Sequence, residues 1–355
     1  MGTIDAFSKT LNTWYLKNKR DLPWRKTIDP YIIWLSEIIL QQTRVSQGTA
    51  YFLKFSNKYS DVNSLASASE EEILKLWQGL GYYSRARNLH KTAIHISEKC
   101  NGVFPDNYTD LLKLYGIGDY TASAIASICF NKATATVDGN VFRFLSRKFG
   151  IYTAIDSSEG IKEFKSLAQI LLDKKNPGDH NQALMEFGAL ICTPKNPKCN
   201  ECPFSESCYG KNKEVIGKLP QKYKNIKIKN RHFNYLVFLN QSNRTFVQQR
   251  NGKDIWKNLY EFPLIESNSE MDFNDLICNQ TFQLHLVDKT YHVSKYNPKP
   301  LIHKLTHQYL YCTFWIINTN LEKSKSIAWE NLNNFAVPTL IQNFIDNYKK
   351  SDYFL

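Results

Sequence analysis

The sequence predicts a mainly helical first half and a smaller α+β second half. Segments whose apolar residues recur with the 3.6-residue period of a helix fill residues 1–210. Strand-like alternation of apolar and polar residues begins only after residue 231. The intervening segment, 211–231, carries eight basic side chains against one acid, Glu214. Because 355 residues exceed the length over which one hydrophobic core usually grows, we predict domains over 1–210 and 232–355, joined by a basic linker.

The individual elements follow from the same periodicities. Helices are predicted near 4–17, 30–44, 70–77, 86–99, 119–131, 159–173 and 179–191. Strands are predicted at 232–239, 245–249, 283–288 and 309–317, with a last helix after Pro338.

The composition excludes several classes of protein. Hydrophobic residues make up 43% of the chain and aromatic residues 14%, which rules out wholesale disorder. No apolar run reaches the roughly 18 residues of a membrane span, and the N-terminus does not read as a secretory signal. We therefore expect a cytoplasmic protein whose eight cysteines are ligands or buried thiols rather than disulfides. The formal net charge of +12 indicates a polyanionic partner.

Four of the cysteines form a short loop after the helical segments. Cys192, Cys199, Cys202 and Cys208 are spaced C-x6-C-x2-C-x5-C. Such short loops bring four sulfurs together at little cost in loop-closure entropy. The spacing therefore predicts a metal centre, either structural zinc or an iron–sulfur cluster. The other four cysteines are isolated, and we expect them to be core residues.

A glycine hairpin lies between two helical patterns. Gly116 and Gly118, separated by Ile117, follow the pattern 108–114 and precede a longer one that starts at Asp119. Two glycines allow a tight turn with exposed backbone amides, and the next helix offers its N-terminal dipole. The hairpin is therefore either an anion site, for example for a DNA phosphate, or a simple corner between helices.

Two carboxylates stand in unusual places. Glu37 lies in the middle of a helix that is apolar nearly all round, where desolvation raises a carboxyl pKa and keeps a proton available near neutral pH. That is the property of a general acid, but an ion pair with Arg25 is the alternative. Asp138 precedes another predicted helix, so that it is either an N-cap or an anionic partner for a developing cation.

Six further segments are informative as a set. They are 22–25 (LPWR), 34–37 (WLSE), 41–43 (QQT), 79–89 (GLGYYSRARNL), 137–141 (VDGNV) and 188–192 (GALIC). With the hairpin and the cysteine loop, they resemble the adenine-specific DNA glycosylases (the MutY family) of the helix-hairpin-helix superfamily, over nearly the whole chain. In this family the cysteine spacing holds one [4Fe–4S] cluster, which favours iron–sulfur over zinc. The second half resembles the family's Nudix-like domain, which recognises 8-oxoguanine.

The resemblance implies a monomeric base excision repair enzyme, with no membrane partner, that binds duplex DNA containing adenine opposite 8-oxoguanine or guanine. It would flip the adenine out of the stack and hydrolyse the N-glycosidic bond. By similarity, Glu37 protonates the base, and Asp138 stabilises the oxacarbenium-like sugar. The other residues that match family site positions are Arg25, Tyr120 and Asn140 in the base pocket, Gln42, Leu80 and Tyr82 beside the flipped base, Gly116 and Gly118 at a phosphate, and Thr306 and His307 in the loop that senses 8-oxoguanine.

Position 120 discriminates within the superfamily. Members such as endonuclease III place a nucleophilic lysine there to form a Schiff base with the sugar. Because Tyr120 has no amine, we predict a monofunctional glycosylase. Leu305 and Tyr115 depart from the family pattern, which has an aromatic residue and a proline at these positions. An endonuclease III-like glycosylase with lyase activity and a catalytically silent DNA-binding protein remain as alternatives.

Overall fold

The computed structural model describes residues 2–223, 227–285, 291–319 and 326–348. The chain forms two compact units: unit 1 comprises Met1–Ala68 and Asn88–Lys224, and unit 2 comprises Ser69–Arg87 and Asn225–Leu355. This division differs from the predicted one in that the segment 69–87 belongs to the second unit. Among the described helices, none has the length and apolar character that crossing a membrane requires.

Helices dominate the first 212 residues, as the periodicity predicts. They are α1 (Gly2–Asn18), α2 (Pro30–Leu40), α3 (Val45–Lys58), α4 (Val62–Ala66), α5 (Glu70–Trp77), α6 (Ser84–Lys99), α7 (Tyr108–Leu111), α8 (Asp119–Phe130), α9 (Gly139–Phe149), α10 (Ser158–Leu171), α11 (Pro177–Leu190) and α12 (Tyr209–Asn212). Short 3-10 helices lie at Pro23–Lys26 and Ile216–Lys218. The ends follow local chemistry: Asp29 caps α2 through the amide of Tyr31 and is followed by Pro30 in the first turn.

An aromatic core holds the helices of unit 1 that carry the site. Phe144 of α9 packs on Phe187 of α11, with ring centroids 4.6 Å apart, and both contact Phe204 in the cysteine loop. Phe7 of α1 joins the same cluster at 5.0 Å from Phe204. Burying such large rings is the main stabilising contribution available to this region. The core therefore fixes α9, α11 and the cysteine loop relative to one another.

Unit 2 is an α+β structure around a mixed sheet. Its strands are β1 (Lys229–Leu239), β2 (Arg244–Thr245), β3 (Gln248–Gln249), β4 (Tyr260–Glu261), β5 (Leu264–Ser267), β6 (Tyr291–Lys295), β7 (Leu301–Lys304), β8 (Gln308–Thr319) and β9 (Ile327–Ala328), and its later helices are α13 (Phe273–Cys278), α14 (Gln280–His285), the 3-10 helix Trp329–Asn334 and α15 (Thr339–Asn347). Strand β8 pairs in parallel with β1 and antiparallel with β6 and β7, while β5 flanks β1. Alternate residues of β1 enter apolar clusters on the two faces of the sheet.

Three predicted strands differ from the structure. The segment 245–249 forms two separate two-residue strands, β2 and β3, which pair with β9 and β4. The segment predicted as a strand at 283–288 is helical as far as His285, and the remainder lies outside the described residues. Strand β1 begins at Lys229, so that it includes the last three residues of the segment predicted as a linker.

Candidate active site and iron–sulfur loop

A cavity in unit 1 collects six of the predicted site residues. Its volume, counted with the open space at its mouth, is about 1360 Å³. The predicted residues that line it are Arg25, Glu37, Gln42, Tyr120, Asp138 and Asn140. Helix α2 supplies Glu37, α8 supplies Tyr120 and Asp138 is the N-cap of α9, so three elements converge on one space.

The Glu37 carboxyl group is the acidic component of this cavity. Glu37 is only 9% exposed, because α2 is buried along most of its length. Desolvation raises the pKa of Glu37 to about 7, and the nearby charge of Asp138 adds to this effect. A hydrogen bond with Tyr120 and the charge of Arg25 act in the opposite direction. Near neutral pH, a substantial fraction of Glu37 therefore carries a proton.

Arg25 does not neutralise Glu37 in an ion pair, which was the alternative role for this acid. Its guanidinium donates to the two carboxylate oxygens of Glu186 at 3.0 and 2.9 Å, and Arg20 donates to the same carboxylate at 2.8 Å. These bonds lower the pKa of Glu186 to about 2, although burial alone would raise it. Glu186 lines the cavity too, but an acid between apolar residues of α11 gives no sequence signal that distinguishes it.

Tyr120 connects the acid to the opposite wall of the cavity. Its hydroxyl lies 3.0 Å from Met185 Sδ and also interacts with Glu37. One phenol proton cannot serve both acceptors fully, and a thioether accepts weakly compared with a carboxylate. We therefore regard Glu37 as the main acceptor when it is ionised. The pKa of Tyr120 lies well above its ordinary value because the phenol is buried, so that it remains neutral.

Asp138 is the N-cap of α9 and also faces the cavity. Its Oδ1 accepts from the amides of Asn140 and Val141 at 2.9 and 2.8 Å, which caps α9. Its Oδ2 accepts from Asn140 Nδ2 at 2.7 Å, and the carboxyl group still lines the cavity. Burial raises the pKa of Asp138, whereas these three hydrogen bonds stabilise the charged form.

Helix α9 links the cavity to the cysteine loop through buried cations. Arg143 donates to Asn140 Oδ1 at 2.9 Å and to the carbonyl oxygen of Cys192 at 2.6 Å. Arg147 donates to Thr193 O at 2.7 Å and lies 3.6 Å from Cys192 Sγ. Lys148 donates to Ser207 O at 2.7 Å. One helix therefore holds both Asp138 and the two ends of the loop.

The four predicted ligand cysteines line one cavity of about 390 Å³ beneath α9. All four are free thiols, and Arg147, Lys148, Lys198 and Lys211 lie around them. Cationic surroundings stabilise thiolates and an anionic cluster. Within the described residues, no group of three His, Cys, Asp or Glu side chains has the arrangement that holds a metal ion directly. The shared cavity and its cations nevertheless fit a group held by four thiolates.

The glycine hairpin is held by α6. Gly116 has φ +73°, and a Cβ at this position would lie 2.8 Å from Asn88 Cβ, whereas a Cβ at Gly118 would meet nothing within 4 Å. Tyr115, the departure from proline, is fixed by a hydrogen bond from Thr92 Oγ1 to its carbonyl at 2.9 Å. Its half-exposed ring lies edge-on to His95. Contacts with α6 thus replace the constraint that proline would supply.

Unit 2 has its own cavity, of about 1100 Å³, which the remaining predicted residues line. These residues are Leu80, Tyr82, Thr306 and His307. The Tyr82 hydroxyl hydrogen-bonds with Thr306 Oγ1, and Tyr82 adopts a left-handed φ of +49°. Gln42 in unit 1 is also left-handed, with φ +54°. Leu305 is partly buried against the apolar core and also lines the cavity of unit 2.

Family models match most of the chain. Residues 35–170 match the HhH-GPD superfamily of base excision DNA repair proteins, 192–208 match the iron–sulfur binding domain of endonuclease III, and 234–347 match the NUDIX domain. Among solved structures, a thermostable thymine-DNA glycosylase is 33% identical, with a TM-score of 0.55 over 59% of this chain and 97% of its own. An endonuclease III–DNA complex is 21% identical, with a TM-score of 0.53 over 60% of this chain and 98% of its own, and shows the same fold. The fold and the cysteine loop thus define a base excision DNA repair protein with an iron–sulfur cluster.

Curated relatives specify the family within that class. An adenine DNA glycosylase of Buchnera aphidicola subsp. Schizaphis graminum is 33% identical over 98% of this chain and 100% of its own. A second, from Buchnera aphidicola subsp. Baizongia pistaciae, is 34% identical over 99% and 98%. The human enzyme of the same name is 43% identical over 59% of this chain and 40% of its own. The chain belongs to the adenine DNA glycosylase family.

Proposed function

We propose that this protein excises adenine opposite 8-oxoguanine or guanine from duplex DNA, as a monofunctional glycosylase. The placement of Glu37 and Asp138 in one cavity carries the proposal. The pKa of Glu37 is raised to about 7, so that its proton is available at neutral pH, whereas three hydrogen bonds stabilise the Asp138 carboxylate. Burial raises the pKa of both carboxyl groups, but only Asp138 has three donors that stabilise its charged form, so that we assign the acid to Glu37 and the anion to Asp138.

Each group then has a defined step. A flipped adenine accepts the Glu37 proton on a ring nitrogen, and the bond from C1′ of the sugar to the base breaks, with its electron pair leaving on the neutral base. The Asp138 carboxylate stabilises the positive charge on the sugar until water adds at C1′ and releases a proton to that carboxylate. Asn140 donates to Asp138 Oδ2 and Tyr120 interacts with Glu37, so that each carboxyl group has a neighbour that orients it.

We also propose that the iron–sulfur cluster is a single [4Fe–4S] group held by Cys192, Cys199, Cys202 and Cys208. Its contribution is structural: four thiolate bonds cross-link the loop 192–208. The loop in turn supplies the carbonyl of Cys192, which accepts from Arg143 at 2.6 Å, and Arg143 orients Asn140. A chain of hydrogen bonds through Arg143 and Asn140 therefore connects the loop to Asp138, so that an ordered loop helps to keep Asp138 in place.

The base opposite adenine is assigned to the cavity of unit 2. Tyr82, Thr306 and His307 line this cavity. Their phenol, hydroxyl and imidazole groups, respectively, can hydrogen-bond to a purine edge. Leu80 and Tyr82 add apolar and aromatic surface beside it. A preference for 8-oxoguanine would therefore arise in unit 2, and removal of the base in unit 1.

The test is single-turnover cleavage of duplexes that carry A opposite 8-oxoguanine, A opposite G, A opposite T, and T opposite G. We expect activity on the first two, none on A opposite T, and loss of both activities in Glu37→Gln while the variant still binds DNA. Cleavage of T opposite G would instead support the activity named for the thymine-DNA glycosylase structure. A Glu37→Gln protein with wild-type rates would contradict the assignment of the acid.

A further inference from the structure

Arg231 lies within the basic segment 211–231, but unit 2 buries it. Only 8% of the residue is exposed. Its guanidinium donates to both oxygens of Glu266 at 2.7 and 2.6 Å, and to both oxygens of Asp254 at 3.0 and 2.7 Å. Such paired bonds with two carboxylates satisfy the positive charge. Arg231 therefore belongs to the interior of unit 2 and is not available as a DNA phosphate ligand.

A fifth hydrogen bond of Arg231 reaches the predicted base-reading loop. Its Nη1 donates to Gln308 Oε1 at 3.1 Å, and Gln308 directly follows Thr306 and His307. The loop closes on itself through the bond from Leu305 N to Gln308 O at 2.9 Å. Strand β1 also donates from Lys229 N to His307 O at 3.0 Å. Two residues of β1 thus anchor the turn that joins β7 to β8.

We propose that Arg231 is a positioning residue that acts through Gln308 to fix the turn 305–308, and that this geometry sets how strongly the enzyme prefers 8-oxoguanine to guanine. The inference rests on the proposed function of the unit 2 cavity, which Gln308 and Asp254 line together with Thr306 and His307. The two carboxylates already satisfy the charge of Arg231. Loss of the Gln308 bond therefore loosens the turn without leaving a buried charge unpaired.

The variants Gln308→Leu and Gln308→Glu separate this role from others. Leucine removes the acceptor at similar size, whereas glutamate keeps an oxygen for Arg231 Nη1. The measured quantity is the ratio of single-turnover rates on A opposite 8-oxoguanine and A opposite G, with enzyme in excess. A hydrogen bond from a charged donor contributes substantially to the net free energy that holds the turn. We therefore expect the ratio to fall about tenfold in Gln308→Leu and to be retained in Gln308→Glu. Gln283→Leu, at an exposed position of α14, is the matched control and should keep the wild-type ratio.

Hydrogen exchange of the full-length, DNA-free protein gives a second readout that does not depend on activity. The Leu305 amide, which bonds to Gln308 O, should exchange faster in Gln308→Leu than in wild type or Gln308→Glu. Unchanged exchange in Gln308→Leu would overturn the positioning role. An equal loss of the rate ratio in both variants would also overturn it, since Gln308 would then contact the base itself. If the wild-type enzyme shows no preference between the two duplexes, the proposed function of the cavity fails, and the exchange rates still decide whether Arg231 holds the turn.

Discussion

At the scale of single residues, the site depends on how two carboxyl groups of one cavity are solvated. Glu37 has lost water without gaining an ion pair, because Arg25 is engaged by Glu186. Asp138 has lost water too, but three hydrogen-bond donors replace it. Desolvation alone raises a carboxyl pKa, and donors to the charged form lower it. The proposed roles of acid and anion therefore rest on the arrangement of neighbours rather than on the residue type.

The raised pKa of Glu37 predicts a pH dependence. The protonated form is the active acid, so the single-turnover rate should be highest below pH 7 and should fall as pH rises through about 7, approaching tenfold per unit above it. Rates with saturating enzyme over about pH 5 to about pH 9 would measure this. DNA affinity at each pH provides the control for unfolding at the acid end. A rate that increases through pH 7 would contradict the role of Glu37 as an acid.

Tyr120 leads to a prediction about strand cleavage. None of the described residues that line the unit 1 cavity is a lysine, and the Tyr120 phenol cannot form a Schiff base with the sugar. Borohydride added during turnover should therefore trap no stoichiometric protein–DNA complex. Tyr120→Lys is the informative comparison, since it restores an amine at this position. A trapped complex in the wild-type protein would favour a glycosylase with lyase activity.

Site residues could be proposed from the sequence where their signal is local. An acid in the middle of an apolar helix and an aspartate before a glycine both stand out within a few positions of the chain. Glu186 and Arg231 do not, because their importance comes from partners that are distant in the sequence: Glu186 bonds to Arg20 and Arg25, and Arg231 bonds to Asp254 and Glu266. Pairing across such separations depends on the tertiary fold.

At the scale of secondary structure, the glycine hairpin gives a test with its own control. Gly116→Ala should weaken DNA binding several-fold, because a positive φ of +73° and the contact with Asn88 both oppose a Cβ. Gly118→Ala meets no protein atom, so it leaves the backbone conformation unstrained. Dissociation constants measured by fluorescence anisotropy would compare the two. If both variants lose the same affinity, crowding at the phosphate rather than hairpin conformation is responsible.

Long helices with many apolar residues were predictable, whereas short strands were not. Helices α2, α8 and α11 lie within a few residues of their predicted bounds. The segment predicted as a strand at 283–288 is helical as far as His285, since alternation over a few residues fits either structure and Phe282 is buried from a helix. The sheet order could not be read from sequence, because β1 pairs in parallel with β8, about eighty positions away.

At the scale of the whole molecule, the basic segment gives a prediction about salt. Lys213, Lys218, Lys222 and Lys227 are exposed, whereas Arg231 is buried with two acids. If the four lysines contact phosphates, replacing them with glutamine should reduce the slope of log affinity against log salt by up to about 3 to 4. The preference for the base opposite adenine should stay unchanged.

A variant with the same change in charge elsewhere provides the comparison. Lys9, Lys17, Lys174 and Lys175 are exposed residues of unit 1 outside the basic segment. Their replacement by glutamine should reduce the salt slope less. Equal slopes in the two variants would mean that DNA affinity depends on the net charge of +12 and not on contacts made by the basic segment.

The segment 69–87 makes the second unit discontinuous along the chain. Lys75 donates to Phe335 O at 2.9 Å, Gln78 to Gln342 at 2.7 Å, and Arg87 to Lys257 O at 2.9 Å. During translation, the segment that forms one wall of the unit 2 cavity is therefore synthesised well before the residues that form the other wall. A recombinant fragment that starts at residue 225 would match the NUDIX family yet would lack Leu80 and Tyr82. Ligand titrations on such a fragment would measure binding to an incomplete cavity. Weak binding by the fragment would therefore not report the affinity of the intact enzyme.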